Sequence, residues 1–115
     1  MGISEKFQGA SGHGYEYLLT SGDNLSAITH QRGNFVFARS APGGPVILFA
    51  GEAPSLNAAF TQQAALRWEA ACTEYAANML MIRIHPDSSP EERQREVADL
   101  VKKHRPPMNT PNMAT

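Results

Sequence analysis

The fold of this 115-residue chain is decided by residues 45–56, which read PVILFAGEAPSL. The apolar run at 46–50 has the length of a β-strand, and it stops at Gly51. Ser55 can cap a helix that begins at Leu56, because its hydroxyl can accept a hydrogen bond from a backbone N–H of the first turn. The stretch therefore predicts a strand that is followed almost at once by a helix.

A second strand is predicted just before this one. Residues 35–40 are rich in β-forming side chains, and the turn-forming residues APGGP at 41–45 separate them from the strand at 46–50. Two such runs joined by a short turn predict an antiparallel hairpin over about residues 34–50.

Helices and a third strand are predicted in the second half of the chain. Apolar residues recur at helical spacing over about residues 64–78, where Trp68 is interpreted as a core anchor. The apolar run at 79–84 is short enough to be a strand. Ser89, Pro90 and Glu92 form a capping box with proline at the first helical position, which predicts a helix over about residues 90–104. Its inward face carries Val97, Leu100, Val101 and His104.

This order of elements predicts an α+β fold, in which a small antiparallel sheet, the hairpin plus the third strand, is flanked by helices. Residues 1–24 are rich in glycine at their start and are interpreted as a flexible N-terminal arm and strap, within which residues 15–19 form either a short strand or a strap across the core. Residues 25–109 are predicted to be the folded domain, and residues 110–115 a disordered tail.

The composition excludes several classes of function. The net charge of −1 gives no support for nucleic-acid binding, which usually needs a basic excess. No apolar run approaches the roughly 20 residues that span a membrane, and the N-terminus lacks a signal-peptide core, so a cytoplasmic location is expected. Cys72 is the only cysteine and the four histidines are far apart in sequence. We therefore expect no metal site and no cofactor.

The two hairpin strands and the last helix together resemble the GIY-YIG nuclease domain, over about residues 25–109. In active members of that family, two strand motifs each contribute a tyrosine, the next helix an arginine and a later helix a metal-binding glutamate. The resemblance implies that these groups activate water, offset developing negative charge and hold a divalent ion during phosphodiester hydrolysis.

In this chain the corresponding positions are apolar, and we expect the four side chains to pack together as an apolar plug. The resemblance places the two tyrosines at Phe37 and Phe49, the arginine at Ala59 and the glutamate at Val97. Gly51 of the second motif is retained, as are Leu100, Val101, Pro106 and Asn109 of the closing pattern. We expect Asn109 to hydrogen-bond backbone groups and thereby fix the chain after the last helix.

Moving the register by one residue would make Glu96 the metal ligand, but helix geometry opposes this. Glu96 is turned about 100° from Val97, towards the side that carries Asp99 and Lys103. Moving the register would also expose the apolar stripe.

The sequence therefore predicts a degenerate, non-catalytic GIY-YIG-like domain that binds protein or nucleic acid as an adaptor. The weak candidate binding residues are Arg67, Lys102, Lys103 and Arg105, although the last three more simply complement the negative end of a helix dipole. The alternative is a metal-dependent nuclease with relocated residues such as Arg67, Glu96 or His104. The sequence identifies neither the partner nor the oligomeric state.

Overall fold

The secondary structure follows the predicted order but adds two strands at its start. The computed structural model describes residues 4–20, 25 and 28–109. Its elements are β1 (Ser4–Gln8), β2 (Gly14–Thr20), β3 (Gly33–Arg39), β4 (Val46–Ala53), α1 (Leu56–Phe60), α2 (Gln63–Tyr75), β5 (Met79–Ile84) and α3 (Pro90–His104). The α+β class is thus confirmed. None of the helices in these described ranges is both long and apolar enough to cross a membrane.

One antiparallel sheet has the strand order β1-β2-β5-β3-β4. The predicted hairpin is confirmed, since β3 pairs with β4 and Phe37 lies opposite Phe49. The predicted third strand is confirmed too, because β5 pairs with β3 and places Leu80 opposite Phe37. In the hairpin turn Gly44 has a φ of 118°, a conformation that side-chain-bearing residues rarely adopt.

The interpretation of the N-terminal region as a flexible arm does not hold for β1 at Ser4–Gln8, and of the two alternatives for residues 15–19 the strand is the one observed. β1 pairs with β2, and β2 pairs with β5, so the sheet has five strands rather than three. Phe7, Tyr15 and Tyr17 are buried and anchor this hairpin to the core, despite its many glycines. Residues 21–24, 26, 27 and the predicted tail at 110–115 lie outside the described residues.

Successive strand residues point to opposite faces of the sheet, and each face has its own core. On the first face, which we call the aromatic face, Phe35, Phe37 and Phe49 pack against α1 and α2. On the second, the α3 face, Val36, Ala38, Ile47, Ala50 and Met81 pack against α3. The sheet therefore separates the side chains that α1 and α2 contact from those that α3 contacts.

Local signals in the sequence fix the helix ends. Ser55 caps α1 by accepting a hydrogen bond from Ala58 N at 3.2 Å. The predicted capping box of α3 is present, since Ser89 Oγ accepts from Glu92 N at 3.1 Å and Glu92 Oε1 accepts from Ser89 N at 3.0 Å. α3 ends before Arg105, which has a φ of 47°.

The apolar stripes of the two long helices pack as their spacing predicts. Leu100 is fully buried and Val101 nearly so, while Val97 is partly buried beside them. On α2, Trp68 lies against the core, with its ring centroid 5.3 Å from that of Phe37. Cys72 lies on the same stripe as a partly buried free thiol, and burial raises its pKa.

Candidate functional site

A cavity of about 280 Å³ opens on the aromatic face, between the β3–β4 hairpin and the two helices that follow it. Its walls come from the ends of β3 and β4, from α1, and from the first turns of α2. The lining residues are Phe35, Phe49, Gly51, Glu52, Ala59, Gln62, Gln63, Ala64 and Arg67. The stretch that decides the fold therefore also contributes three residues of this cavity.

Gly51 is needed for the close packing of the cavity floor. It lies opposite Phe35 in the β3–β4 ladder, and a Cβ atom at residue 51 would lie 2.5 Å from Cζ of the Phe35 ring. The ring centroids of Phe35 and Phe49 are 5.9 Å apart. The missing side chain at Gly51 thus leaves room for the Phe35 ring beside that of Phe49, and both rings line the cavity.

The polar groups at the cavity rim come from two different elements. The Arg67 guanidinium of α2 is exposed and lies over the Phe49 ring, with its Cζ 5.1 Å from the ring centroid. Arg93 of α3 holds the side chain of Glu52 on β4, because Arg93 Nε donates a hydrogen bond to Glu52 Oε1 at 2.9 Å. The Arg93 side chain is only 3% exposed and also donates to the carbonyl oxygen and the hydroxyl of Ser88.

The four positions given by the resemblance do not pack together as a single apolar plug. Phe37, Phe49 and Ala59 belong to the core of the aromatic face. Val97 packs with the core of the α3 face, on the other side of the sheet. Phe37 is fully buried, and the neighbouring Phe35 lines the cavity in its place. The expected contact of Val97 with the other three positions is therefore wrong.

Glu96 occupies a polar environment that sequence reasoning missed. Its Oε1 accepts hydrogen bonds from Asn34 Nδ2 and Arg83 Nε, both at 3.0 Å, and its Oε2 lies 3.5 Å from His85 Nδ1. The pKa of the Tyr17 hydroxyl is raised well above its usual range, mainly by burial and to a smaller extent by the nearby carboxylate of Glu96. We call Tyr17, Asn34, Arg83, His85 and Glu96 the Glu96 cluster.

The same side of α3 holds the N-terminal hairpin. Asp99 accepts hydrogen bonds from the backbone N–H and hydroxyl of Ser11, at 2.9 and 2.7 Å, and from the Tyr15 hydroxyl at 2.8 Å. The sequence placed Glu96 and Asp99 on a side away from the core. The β1–β2 hairpin supplies the partners of Asp99, whereas the hydrogen-bond partners of Glu96 come from β3 and β5.

The candidate binding residues are spread over the molecule. Arg67 lies at the cavity, whereas Lys102, Lys103 and Arg105 lie at the far end of α3. His104, also proposed as a relocated catalytic group, has its Nε2 within 2.8 Å of the Gln8 carbonyl oxygen. The structure does not bring Arg67, Glu96 and His104 together in one cleft.

Asn109 has the structural contacts expected of it. Its side chain accepts a hydrogen bond from Ala50 N at 2.9 Å and donates one to Ala50 O at 3.0 Å. Met108 N also donates to Leu48 O at 3.0 Å. The chain after α3 thus covers the outer edge of β4.

Comparison with known proteins supports the fold alone. The chain matches no protein-family model and no curated protein. Its fold is similar to the crystal structure of the GIY-YIG N-terminal endonuclease domain of UvrC from Thermotoga maritima, a point mutant bound to its catalytic divalent cation. The TM-score is 0.54 and the identity 20%, over 76% of this chain and 92% of that one. The chain therefore has a GIY-YIG-like fold.

The position that the resemblance gives to the metal-binding glutamate does not fit a divalent cation. Val97 offers no oxygen ligand and is packed among apolar side chains. In the described ranges, no group of three or more His, Cys, Asp and Glu side chains is placed to hold a metal ion. Val97 therefore cannot serve as a metal ligand, and we assign no metal-dependent step to its position.

Proposed function

We propose that this chain is a non-catalytic GIY-YIG-like domain that acts as a binding module for a protein or a nucleic acid. The cavity on the aromatic face is its binding site. The observation that carries the proposal is the lining of this cavity, where Phe35, Phe49 and Ala59 stand near the positions that active relatives fill with polar groups.

Phosphodiester hydrolysis requires a group that activates water, a cation that stabilises developing charge and usually a metal ion. Phenylalanine and alanine side chains can do none of these. Removing one charge-stabilising donor from a catalytic site typically costs about a hundredfold or more in rate. With phenylalanine at both tyrosine positions, alanine at the arginine position and valine at the glutamate position, we expect no measurable activity.

The alternative of a nuclease with relocated residues has less support. The Glu96 carboxylate is on the α3 face and is already paired with Arg83. Arg67 is on the aromatic face, on the other side of the sheet. A catalytic pair would need both groups within reach of one phosphate, and the sheet lies between them.

The cavity does offer groups that can bind. An aromatic floor supports stacking, and the exposed Arg67 guanidinium can contact a phosphate or a carboxylate. Gln62 and Gln63 add amides that can donate and accept hydrogen bonds. These groups suit a segment of nucleic acid or an extended segment of protein.

A cleavage assay tests the non-catalytic part of the proposal. We expect no cutting of single-stranded, duplex or branched DNA by the purified chain in Mg²⁺ or Mn²⁺. Metal-dependent cutting that is lost in Glu96→Gln or Arg67→Ala would overturn the proposal and support the relocated site. Cutting that persists in both variants would indicate a contaminating nuclease, so the assay is repeated on further purified material until the variants and the wild type can be compared.

A binding assay separates the two classes of partner. If the partner is a nucleic acid, fluorescence anisotropy with labelled oligonucleotides should show binding that weakens with salt and falls about tenfold or more in Arg67→Ala. Arg39→Ala, at the far end of β3, is the matched control and should bind as the wild type does. If no oligonucleotide binds, the partner is a protein. Arg67→Ala should then weaken the binding of that purified protein in the same way.

A further inference from the structure

The two outer edges of the sheet differ in what covers them. β4 forms one edge, and the chain after α3 covers it through Met108 and Asn109. β1 forms the other edge, and among the described residues it pairs with β2 alone. The outer side of an edge strand presents unpaired N–H and C=O groups, to which another extended segment can hydrogen-bond. β1 is therefore the edge at which the sheet can gain a strand.

The pairing of β1 with β2 shows which backbone groups face outward. Gly9 N donates a hydrogen bond to His13 O at 2.9 Å, so these two residues form a hydrogen-bonded pair of the hairpin. In an antiparallel ladder, such pairs alternate with pairs that exchange no hydrogen bonds. Phe7 therefore bonds to β2, whereas the N–H and C=O groups of Lys6 and Gln8 point away from it.

Most of these outward groups have no partner. The exception is the Gln8 carbonyl oxygen, which lies 2.8 Å from His104 Nε2. Among the described residues, none hydrogen-bonds to the N–H or C=O of Lys6 or to the N–H of Gln8. An added antiparallel strand can thus exchange two hydrogen bonds with Lys6 and accept a third from Gln8.

A cavity of about 450 Å³, which we call the β1 groove, lies beside this free edge. Residues 5–8 of β1 form one wall, the β3–β4 turn at residues 43–45 forms another, and Lys103 and His104 of α3 complete it. Gly43 and Gly44 place no side chain there, and a Cβ atom at either residue would have no other atom within 4 Å. The space beside β1 is therefore open to a segment of chain.

The charges at the β1 groove favour an acidic occupant. Lys6 and Lys103 line it, and Glu5 is the one carboxylate among its described lining residues. Lys102 and Arg105, on either side of Lys103 and His104, are exposed and add positive charge at this end of α3. Within the described part of the chain, none of these four cations forms a salt bridge. Their charges are thus available to carboxylates of a partner.

We propose that β1 binds an extended, acidic segment of another protein, which adds to the sheet as a sixth strand beside Lys6. Backbone hydrogen bonds hold the segment, and carboxylates opposite Lys6 and near Lys103 select it. A second copy of β1 fits this edge less well, because antiparallel pairing centred on Lys6 would set two lysine side chains directly opposite each other. The site shares no residue with the cavity on the aromatic face, so the proposal does not depend on the binding function above.

The first test measures the binding of a fluorescent peptide of alternating glutamate and valine to the full chain by anisotropy. We expect saturation at one equivalent, and about tenfold weaker binding of a matched peptide of alternating lysine and valine. Lys6→Gln and Lys103→Gln should each weaken the acidic peptide about three- to fivefold, as the loss of an exposed ion pair does. Arg67→Gln, at the aromatic cavity, is the control and should bind as the wild type does.

A second test examines the backbone hydrogen bonds. A glutamate opposite Lys6 has its own N–H directed at β1, so methylation of the glutamate amides should abolish binding, whereas methylation of the valine amides should not. In the protein, the Lys6 amide should exchange with solvent rapidly in the free chain and about tenfold or more slowly in the complex. The Phe7 amide, already bonded to β2, is the internal control and should exchange slowly in both.

Several results would overturn the proposal. They are a wild-type chain that does not bind the acidic peptide, equal binding of the acidic and basic peptides, and equal loss of binding in both methylated peptides. Loss of binding in Arg67→Gln would place the peptide at the aromatic cavity instead. A dimer in sedimentation that the peptide dissociates would assign the β1 edge to a second copy of the chain.

Discussion

The two faces of the sheet are built on different principles. On the aromatic face, Phe35, Phe37, Phe49 and Phe60 stack with ring centroids 5.0–6.1 Å apart. On the α3 face, an apolar half under Leu100 adjoins a polar half formed by the Glu96 cluster. The positions that resemble a catalytic site lie on the aromatic face, except Val97. The side chains able to do polar chemistry lie mostly on the other.

This difference shows that the two faces depend on different interactions, ring packing on one and paired polar groups on the other. A phenylalanine core is stabilised by burial and ring packing, and it does not depend on ionisation. A buried polar cluster depends on every partner being present, because an unpaired buried charge is costly. Substitutions on the two faces should therefore differ in their size and in their pH dependence.

The largest effect is expected in the aromatic core. Phe37→Ala should lower the free energy of unfolding by about 3–5 kcal/mol, since Phe37 is fully buried among four aromatic rings and its removal leaves a cavity. Leu100→Ala, on the α3 face, should cost about 2–5 kcal/mol for the same reason. Urea denaturation measures both. A loss below about 1 kcal/mol for either would contradict the burial of that side chain.

A smaller effect is expected for the buried cation that joins the two faces. Arg93→Met should cost about 2–3 kcal/mol, below the 3–5 kcal/mol of a fully buried pair, because Glu52 is 25% exposed and can reach water. Glu52→Gln keeps an acceptor for Arg93 but leaves its buried guanidinium without a counter-charge, so it should cost at least as much. If the ion pair is the cause, the double variant will be more stable than the sum of the single losses predicts.

Most of the fold could be predicted because its signals are local. The hairpin, the strand β5 and the capping box of α3 depend on residues that are neighbours in sequence. The β1–β2 hairpin was missed because its glycines suggested a loose arm. The alternation of Tyr15, Glu16 and Tyr17, buried, exposed and buried, was the signal that could have identified it.

The site could be predicted only in part, because it depends on contacts that are distant in sequence. Gly51 and Phe49, which the resemblance singled out, do line the cavity, but the resemblance selected Phe37 where Phe35 lies at the surface of the cavity. The Glu96 cluster draws residues from four elements, and no local pattern joins Tyr17 to Glu96. A missed pair of strands thus also concealed the polar half of the α3 face.

The α3 face should also contain an acid-sensitive contact, between Asp99 and the N-terminal hairpin. Hydrogen bonds from the Ser11 and Tyr15 side chains lower the pKa of Asp99 below its usual range. Since the folded pKa is lower than the unfolded one, near 3.9, this contact stabilises the fold above that pH. The stabilisation is lost as the pH falls through the folded value. Asp99→Asn should therefore reduce the fall in Tm between about pH 5 and pH 2, whereas Asp87→Asn, at an exposed site, should leave it closer to that of the wild type.

The smallest effect is expected at alkaline pH, for Tyr15, whose hydroxyl donates a hydrogen bond to Asp99. The pKa of Tyr15 is raised from 10.0 to about 12, mainly by burial and secondly by the hydrogen bond to Asp99. The folded chain thus holds this proton more tightly than the unfolded chain, so its contribution to stability is complete below pH 10 and is lost as the pH rises through about 12. Tyr15→Phe should reduce the alkaline loss of Tm, and ultraviolet titration of the phenolate should show one less late-titrating tyrosine. If Tyr15→Phe leaves the number of late-titrating tyrosines unchanged, the contact with Asp99 does not hold the Tyr15 proton, and any pH sensitivity of the α3 face must come from its other polar groups.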